Sequence, residues 1–153
     1  MNSPDNPMRR GFVHSTFSAA LVAIASTASL AADLSAEQVK ARLRGATAAA
    51  PADLSGKDLS DLDLSGIDFQ HAKLQGASLF ASRLSVVVLG ENSNLRGASL
   101  FRAKLAGADL SGVDVTDADF TEADLQGTIL RGAIGLQKAR GLDRAENFDK
   151  AIR

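Results

Sequence analysis

The sequence predicts an all-β solenoid, a quadrilateral β-helix of about four coils with a short helical cap at its N-terminal and C-terminal ends. A large apolar residue recurs every five residues from Leu54 to Leu130, with one slip. A small residue stands two positions before most of them, and Asp or Asn often lies between the two. This period matches neither a helix, at about 3.6 residues, nor a strand, at about 2. It matches a chain that turns a corner in every unit and closes a square coil after four corners.

Residues 1–31 are predicted to be a secretory signal peptide. A positive start at Met8–Arg10 is followed by a weakly apolar run, Phe17–Ala25, and by small residues at Ser29 and Ala31. This order is typical of a leader that is cleaved after Ala31, and Met8 is an alternative start of translation. An uncleaved membrane anchor is the other interpretation. It requires about twenty apolar residues, whereas serines and threonines interrupt this run.

Residues 32–51 are predicted to be a capping helix and its linker. Ser35–Gln38 has the form of a capping box, and Val39 and Leu43 are spaced to lie on one helical face. We therefore expect a short amphipathic helix from about Ala36 to Arg44. Its apolar face is expected to cover the open end of the first coil, since an uncovered solenoid end exposes its core.

Residues 52–132 are predicted to form the repeat region. The step from Leu89 to Leu95 is six residues, so Gly90–Ser93 contains one inserted residue between two blocks of eight units. We expect a bulged corner there, with the vertical register preserved, and an outward-facing Val88. The sixteen inward positions are Leu54, Leu59, Leu64, Phe69, Leu74, Leu79, Leu84, Leu89, Leu95, Leu100, Leu105, Leu110, Val115, Phe120, Leu125 and Leu130.

Residues 133–153 are predicted to form a C-terminal cap. Leu142, Ala145, Phe148 and Ile152 give a rough helical stripe, which favours a capping helix in this segment. An imperfect further repeat is the alternative interpretation.

The repeat resembles a known family in two units above all. Ala108–Gly112 (ADLSG) and Ala123–Gly127 (ADLQG) match the motif A(D/N)LXX of the pentapeptide-repeat family. The resemblance covers about half of the chain and implies a right-handed quadrilateral β-helix. It implies little about activity, because the family is defined by its architecture.

The sequence offers no chemistry of the kind that enzymes use. It contains no Cys, and its two histidines are His14, in the leader, and His71, at a predicted exposed corner. No nucleophile motif, phosphate-binding loop or metal-ligand spacing is present. Successive coils place neutral or basic residues between the aspartates, so no column is expected to raise a carboxyl pKa or chelate a cation. The sequence therefore predicts a protein that is not an enzyme, with no catalytic residue, no cofactor and no metal.

One surface is a candidate interaction patch. Phe80 and Phe101 occur in near-identical units, ASLF, 21 residues apart, so the two rings are expected to lie one above the other and to point outward. Arg83, Arg102 and Lys104 are expected close by. Two outward phenylalanines flanked by cations could form a small docking site, but a ladder that only stabilises neighbouring coils by stacking is the favoured interpretation.

These observations predict an exported structural or interaction scaffold, periplasmic or secreted, with an unknown protein partner. No nucleic-acid partner and no membrane span after cleavage are expected. Association stays open: Val86, Val88 and Ile129 could bury against a second subunit, or they are simply tolerated at the surface. The family resemblance suggests an alternative, a DNA mimic that acts on type II topoisomerase. The leader and a formal net charge of −1 argue against that alternative.

Overall fold

A computed structural model describes residues 32–90 and 92–153, and the predicted signal peptide lies outside them. No helix within this range is long and apolar enough to cross a membrane. Most of the chain is a regular alternation of tight turns and single bridged residues. The named elements, in chain order, are helix α1 (Ala36–Leu43), strands β1 (Ala52–Asp53) and β2 (Ala72–Lys73), and two 3₁₀ turns, Leu136–Lys138 and Phe148–Lys150.

Successive coils are bridged in parallel, at steps of about one coil. Strands β1 and β2 pair Ala52 with Ala72 and Asp53 with Lys73. Single parallel bridges continue this pattern in four vertical series, one for each unit of a coil. The first series contains Asp53, Lys73, Asn94, Asp114 and Ile134, the second Asp58, Ser78, Ser99, Asp119 and Arg140, the third Asp63, Arg83, Lys104, Asp124 and Glu146, and the fourth Asp68, Val88, Asp109, Ile129 and Ile152.

The core lies inside the bridged coils, where the repeat predicts it. All sixteen large apolar residues are buried, and so are the alanines that precede them. Ser82, Ser93 and Thr128 take the alanine position in their units, and they too are buried. Their hydroxyls donate hydrogen bonds of 2.8 Å to the carbonyls of Leu79, Phe69 and Leu105, respectively. Each buried hydroxyl is thereby satisfied, which removes most of its burial cost.

The recurring Asp and Asn residues are explained by the turns that follow them. In nine units the side-chain oxygen accepts a hydrogen bond from the backbone N–H two residues further on. This local bond pre-forms the turn. The nine residues are Asp53, Asp58, Asp63, Asp68, Asn94, Asp109, Asp114, Asp119 and Asp124.

The inserted residue leaves the stacking in register, as predicted. Lys73 bridges Asn94, and Asn94 in turn bridges Asp114, so the first series continues across the insertion. Gly90 takes up a left-handed conformation at this corner, with φ 66°. Val88 faces outward, as its position predicts, and is 37% exposed.

Helix α1 begins and ends close to its predicted limits. Ser35 Oγ accepts from the backbone N–H of Gln38, and the Gln38 side chain accepts from the backbone N–H of Ser35, so the capping box is complete. Val39 is fully buried in the same apolar cluster as the first-coil leucines, and Leu43 packs against that cluster. The helix therefore contributes directly to the core next to the first coil.

The predicted C-terminal helix is wrong, because residues 133–153 contain only the two 3₁₀ turns and continue the bridged stack. Arg140, Glu146 and Ile152 extend the second, third and fourth series. The unit length here is six residues, with alanine repeating at 133, 139, 145 and 151. The large residue moves into the following turn, where Leu136, Leu142 and Phe148 pack against the core. The chain thus forms a further, imperfect coil, which was the alternative interpretation.

Two glycines let this last coil approach the one before it. Gly135 and Gly141 replace the inward leucine and have φ 74° and 72°. A Cβ at Gly141 would lie 2.6 Å from Thr121 N, and one at Gly135 would lie 2.8 Å from Thr116 Cα. Both separations are too short for a side chain, so these corners require glycine for space as well as for conformation.

Candidate interaction surface

Phe80 and Phe101 form a parallel stack on the outside of the second and third coils. Their ring centroids are 5.6 Å apart and their planes differ by 5°. The bridge between Ser78 and Ser99 brings the two rings to the same height on the same face. Both side chains are half-buried, so part of each ring remains accessible. We call this pair the phenylalanine stack; such a pair stabilises by about 0.5–1.5 kcal/mol beyond its burial.

Arg102 covers the C-terminal side of the phenylalanine stack. Its guanidinium carbon lies 5.1 Å from the centroid of Phe101. Its Nε donates to Glu122 Oε2, in the following coil, at 2.6 Å. The guanidinium is therefore held between an aromatic ring and a carboxylate, and both interactions favour its positive charge.

Arg83 and Lys104, the other two predicted patch residues, lie in the third bridge series, next to the stack. They bridge each other and are both exposed. Arg83 Nη1 also contacts Asp63 Oδ2 at 3.3 Å. Sequence reasoning missed Asp63 and Glu122 as ionic partners, although each lies 20 residues from its arginine, the length of one coil. The 20-residue spacing was the sequence signal that could have identified these two ion pairs.

The corner beside the phenylalanine stack contains no glycine. Its four residues are Asp61, Ala81, Arg102 and Glu122, and all have φ between 51° and 59°. Corresponding corners on the next side are mostly glycine: Gly66, Gly107 and Gly127. A residue with a Cβ is less stable in this left-handed conformation by about 1–2 kcal/mol. Along this corner, therefore, all four coils keep a side chain at a cost in stability. We call it the glycine-free corner.

A cleft opens beside the phenylalanine stack, on the side of the first coil. Its volume is about 340 Å³, and Phe80 forms one of its walls. Ser60 Oγ and Ser78 Oγ, also in the lining, are 2.8 Å apart and share a hydrogen bond. The remaining lining residues are Asp58, Asp61 and Ser99.

A second cleft, of about 570 Å³, separates helix α1 from the fourth side of the first coil. Lys40 and Arg44 line it from the helical side, and Asp68 and His71 from the solenoid. His71 was predicted to be an exposed corner, but it is half-buried. Its Nδ1 is buried without a hydrogen-bond partner among the described residues. Helix α1 lies across the cleft from this corner, an arrangement that the repeat pattern alone could not predict.

Four of the turn carboxylates, Asp53, Asp63, Asp114 and Asp119, are stabilised in their charged form by a lowered pKa. Hydrogen bonds from Ser55 hold the pKa of Asp53 below its ordinary value, and hydrogen bonds from Ser65 do the same for Asp63, with help from Arg83. Burial alone would raise the pKa of Asp119, but hydrogen bonds from Thr121 outweigh it and lower that pKa. Over the described ranges, no group of three His, Asp or Glu side chains is placed to hold a metal ion.

Comparison with known protein families identifies the repeat. A family model of pentapeptide repeats matches residues 52–85, 91–117 and 98–134, in eight copies. The chain belongs to the pentapeptide-repeat family. Its bridged coils are accordingly those of a right-handed β-helical solenoid, the fold of this family's solved structures. Comparison with curated proteins gives no significant match.

Several solved pentapeptide-repeat structures are similar to this chain. One, from the thylakoid lumen of Arabidopsis thaliana, is 36% identical over 54% of this chain and 59% of its own, with a TM-score of 0.51. Another, from Nostoc PCC 7120, is 33% identical over 56% of this chain and 65% of its own, with a TM-score of 0.38.

QnrB1, a plasmid-mediated fluoroquinolone resistance protein, is 19% identical over 58% of each chain, with a TM-score of 0.33. The matched part of this chain thus spans about three-fifths of the solved proteins' length. Family membership rests on the repeat match and on the first of these structures.

Proposed function

We propose that this pentapeptide-repeat protein is an exported, non-catalytic scaffold that binds a protein partner on the side of the phenylalanine stack. The observation that carries the proposal is the coincidence of that stack with the glycine-free corner. A stack that served stability alone would account for Arg102 and Glu122, which contact Phe101 and each other, but not for Asp61, which keeps an unfavourable backbone conformation without an ion pair among the described residues. Side chains kept at such a cost are expected where they contact something.

Rigidity suits the solenoid to this role. Each coil is bridged to its neighbours on four sides, so outward side chains hold fixed relative positions. In this proposal helix α1 closes the N-terminal end of the core, and the six-residue units of 133–152 close the other end. The scaffold needs no covalent chemistry, because a partner recognises the spacing of its side chains.

Export is part of the proposal and rests on the sequence of residues 1–31. A relative in the thylakoid lumen, another compartment reached across a membrane, supports it.

The topoisomerase alternative requires a strongly negative surface, whereas this chain has a formal net charge of −1. Arg83, Arg96 and Arg102 lie on the solenoid and pair with its carboxylates.

A homodimer also stays a prediction: Val86 is 67% exposed, and light scattering would detect association of two copies of the chain.

A pull-down tests the scaffold proposal. The full 153-residue chain, with its leader and a C-terminal tag, is expressed in cells, and bound proteins are recovered from the exported fraction after cross-linking. We expect the double variant Phe80→Ala, Phe101→Ala to lose its partner. Its melting temperature should fall by no more than about 10 °C, since both rings are only half-buried.

A variant on another face, Ile134→Ala, is the control, since Ile134 is exposed and lies in the first bridge series; it should keep the partner. The more conservative pair Phe80→Leu, Phe101→Leu separates loss of ring stacking from loss of apolar volume. A large drop in melting temperature with the partner still bound would show that the stack is structural, and it would reject the proposal. Retention of the tagged chain in the cytoplasm would reject export.

A further inference from the structure

The phenylalanine stack has one covered end and one open end. The position equivalent to Phe80 and Phe101 in the first coil is Ser60, 20 residues before Phe80. Serine is too small to cover an aromatic ring, so the N-terminal side of Phe80 borders the 340 Å³ cleft instead of a third ring. The cleft is thus the space that a third member of the stack would occupy.

Two carboxylates line this open end. Asp61 belongs to the glycine-free corner and is exposed, and Asp58 precedes Ser60 in the second bridge series. Neither forms an ion pair with any residue that the structure describes. By contrast, Glu122 in the same corner is paired with Arg102. The cleft therefore combines an aromatic wall with negative charge, which favours a cation.

The covered end of the stack shows which cation fits this geometry. There the guanidinium of Arg102 lies over Phe101 while Glu122 binds its Nε. Asp61 occupies the same corner as Arg102 and Glu122, two and three coils earlier. The open end thus repeats the ring and the carboxylate of the covered end, but it lacks the guanidinium between them.

We infer that the cleft beside Phe80 binds the guanidinium of an arginine side chain presented by the protein partner. This inference rests on the proposed scaffold function and names the group that the partner supplies. A guanidinium is planar, so it can stack on the free side of Phe80 while its edge donates to Asp61 and Asp58. The hydroxyls of Ser78 and Ser99 offer further acceptors in the lining. A neutral sugar could also stack on the ring, but it would leave both carboxylate charges without a counter-charge.

A matched pair of peptides tests the inference on the full chain. Acetyl-Gly-Arg-Gly-amide is titrated while the ring resonances of Phe80 are followed by NMR, and its citrulline counterpart is the neutral control of the same shape. We expect the arginine peptide to shift the Phe80 signals and to bind at least about tenfold more tightly than the citrulline peptide. Binding should weaken as salt concentration rises.

Three variants locate the site. Ser60→Phe should fill the cleft with a third stacked ring and abolish peptide binding, with the melting temperature unchanged or raised. Asp61→Asn should reduce binding several-fold, because it removes the charge of an exposed side chain that forms no hydrogen bond with any residue that the structure describes. Asp109→Asn is the control, since it removes a carboxylate in the fourth bridge series while keeping an oxygen for the Ser111 N–H.

Equal binding of the two peptides, no shift at Phe80, or undiminished binding by Ser60→Phe would each overturn the inference. So would saturable binding of a neutral oligosaccharide at Phe80 without competition from the arginine peptide. The two proposals can fail separately. A partner that depends on the phenylalanine stack, without any arginine-peptide binding, leaves the scaffold standing and rejects the arginine site. Binding of the arginine peptide without a recoverable partner supports the arginine site and rejects the scaffold.

Discussion

At the scale of single residues, backbone conformation separates well-adapted units from strained ones. Five turns combine an Asp or Asn that bonds the following backbone with a glycine in the left-handed conformation. Val86 differs from them: it has φ 58° in a series whose other members are Gly66, Gly107 and Gly127. A β-branched residue is especially unfavourable there, because its side chain crowds the backbone. Val86 is also 67% exposed, so its side chain gains little from burial.

Replacement of Val86 by glycine is expected to stabilise the protein. Relief of the left-handed conformation contributes about 1–2 kcal/mol, and the greater freedom of glycine in the unfolded chain offsets up to about 1 kcal/mol of this. We therefore expect a net gain of about 1 kcal/mol, measured by urea unfolding. Ser85→Gly is the control at the preceding position, where φ is not positive, and it should destabilise. A loss of stability in Val86→Gly would contradict the strain that we assign to this corner.

Residue positions could be predicted from the sequence much better than residue conformations. The 21-residue spacing is enough to place Phe101 over Phe80, and a step of 20 residues would have paired Arg102 with Glu122. Nothing in the repeat distinguishes a corner that keeps a side chain in the left-handed region from one that avoids it. The cleft beside Phe80 was missed for a related reason: it depends on Ser60 being small where the next coil has a ring.

At the scale of elements, the last coil was misread because two periods overlap in it. Leu142, Ala145, Phe148 and Ile152 are spaced like a helical face, and the segment contains several good helix formers. The six-residue period of its alanines is equally visible, and Gly135 and Gly141 disfavour a helix. Backbone hydrogen bonds to the preceding coil favour a further coil over a helix. Arg140 N donates to Ala118 O at 2.7 Å, and Ile152 N donates to Thr128 O at 2.8 Å. Such tertiary bonding overrides local propensity.

The close approach at Gly141 predicts a strong effect of a single methyl group. In Gly141→Ala the new Cβ would meet Thr121 N at 2.6 Å, so the last coil must shift away from its neighbour. We expect a loss of more than about 2 kcal/mol in unfolding free energy, from strain at a fixed backbone conformation added to steric overlap. Hydrogen exchange should show lost protection at Arg140 and Glu146.

Gly76→Ala is the matched control for that substitution. Its φ is 64°, but no atom lies within 4 Å of the new Cβ, so only the conformational cost remains, about 1 kcal/mol. If the two variants lose the same stability, the coil is not in close contact at Gly141.

At the scale of the whole molecule, the five-residue period was sufficient to predict the stacked coils and their core. One inward leucine and one inward alanine per unit leave few alternatives, because any other register would bury the aspartates. The ends were harder to predict, since the period stops there. Helix α1 was recognisable from its capping box, whereas the orientation that places it across the cleft from His71 depends on packing that no local pattern encodes.

The stability of the whole solenoid should depend on pH. The pKa values of Asp53, Asp63, Asp114 and Asp119 are lowered in the folded protein, chiefly by hydrogen bonds from the following turn, with burial opposing the shift most strongly at Asp119. A carboxyl with a depressed pKa stabilises the fold above its unfolded pKa, about 3.9. That contribution disappears as pH falls through the folded values.

We therefore expect a nearly constant melting temperature from about pH 7 to 5 and a progressive fall below about pH 4. Asp114→Asn keeps an oxygen for the Thr116 N–H but cannot titrate, so it should make the fall shallower. A melting temperature that rises on acidification would contradict the assigned shifts.

The bridged register also has a consequence for how such a molecule changes in size. Every complete coil of the regular region both donates hydrogen bonds to, and accepts them from, the coils before and after it in the same pattern. Duplication of one twenty-residue block would therefore add a single layer and lengthen the rod by about 4.8 Å. Neither the helix at the first coil nor the six-residue units of the last would need to change. Length in this protein is thus a quantity that can be altered in equal increments, independently of the surfaces at either end.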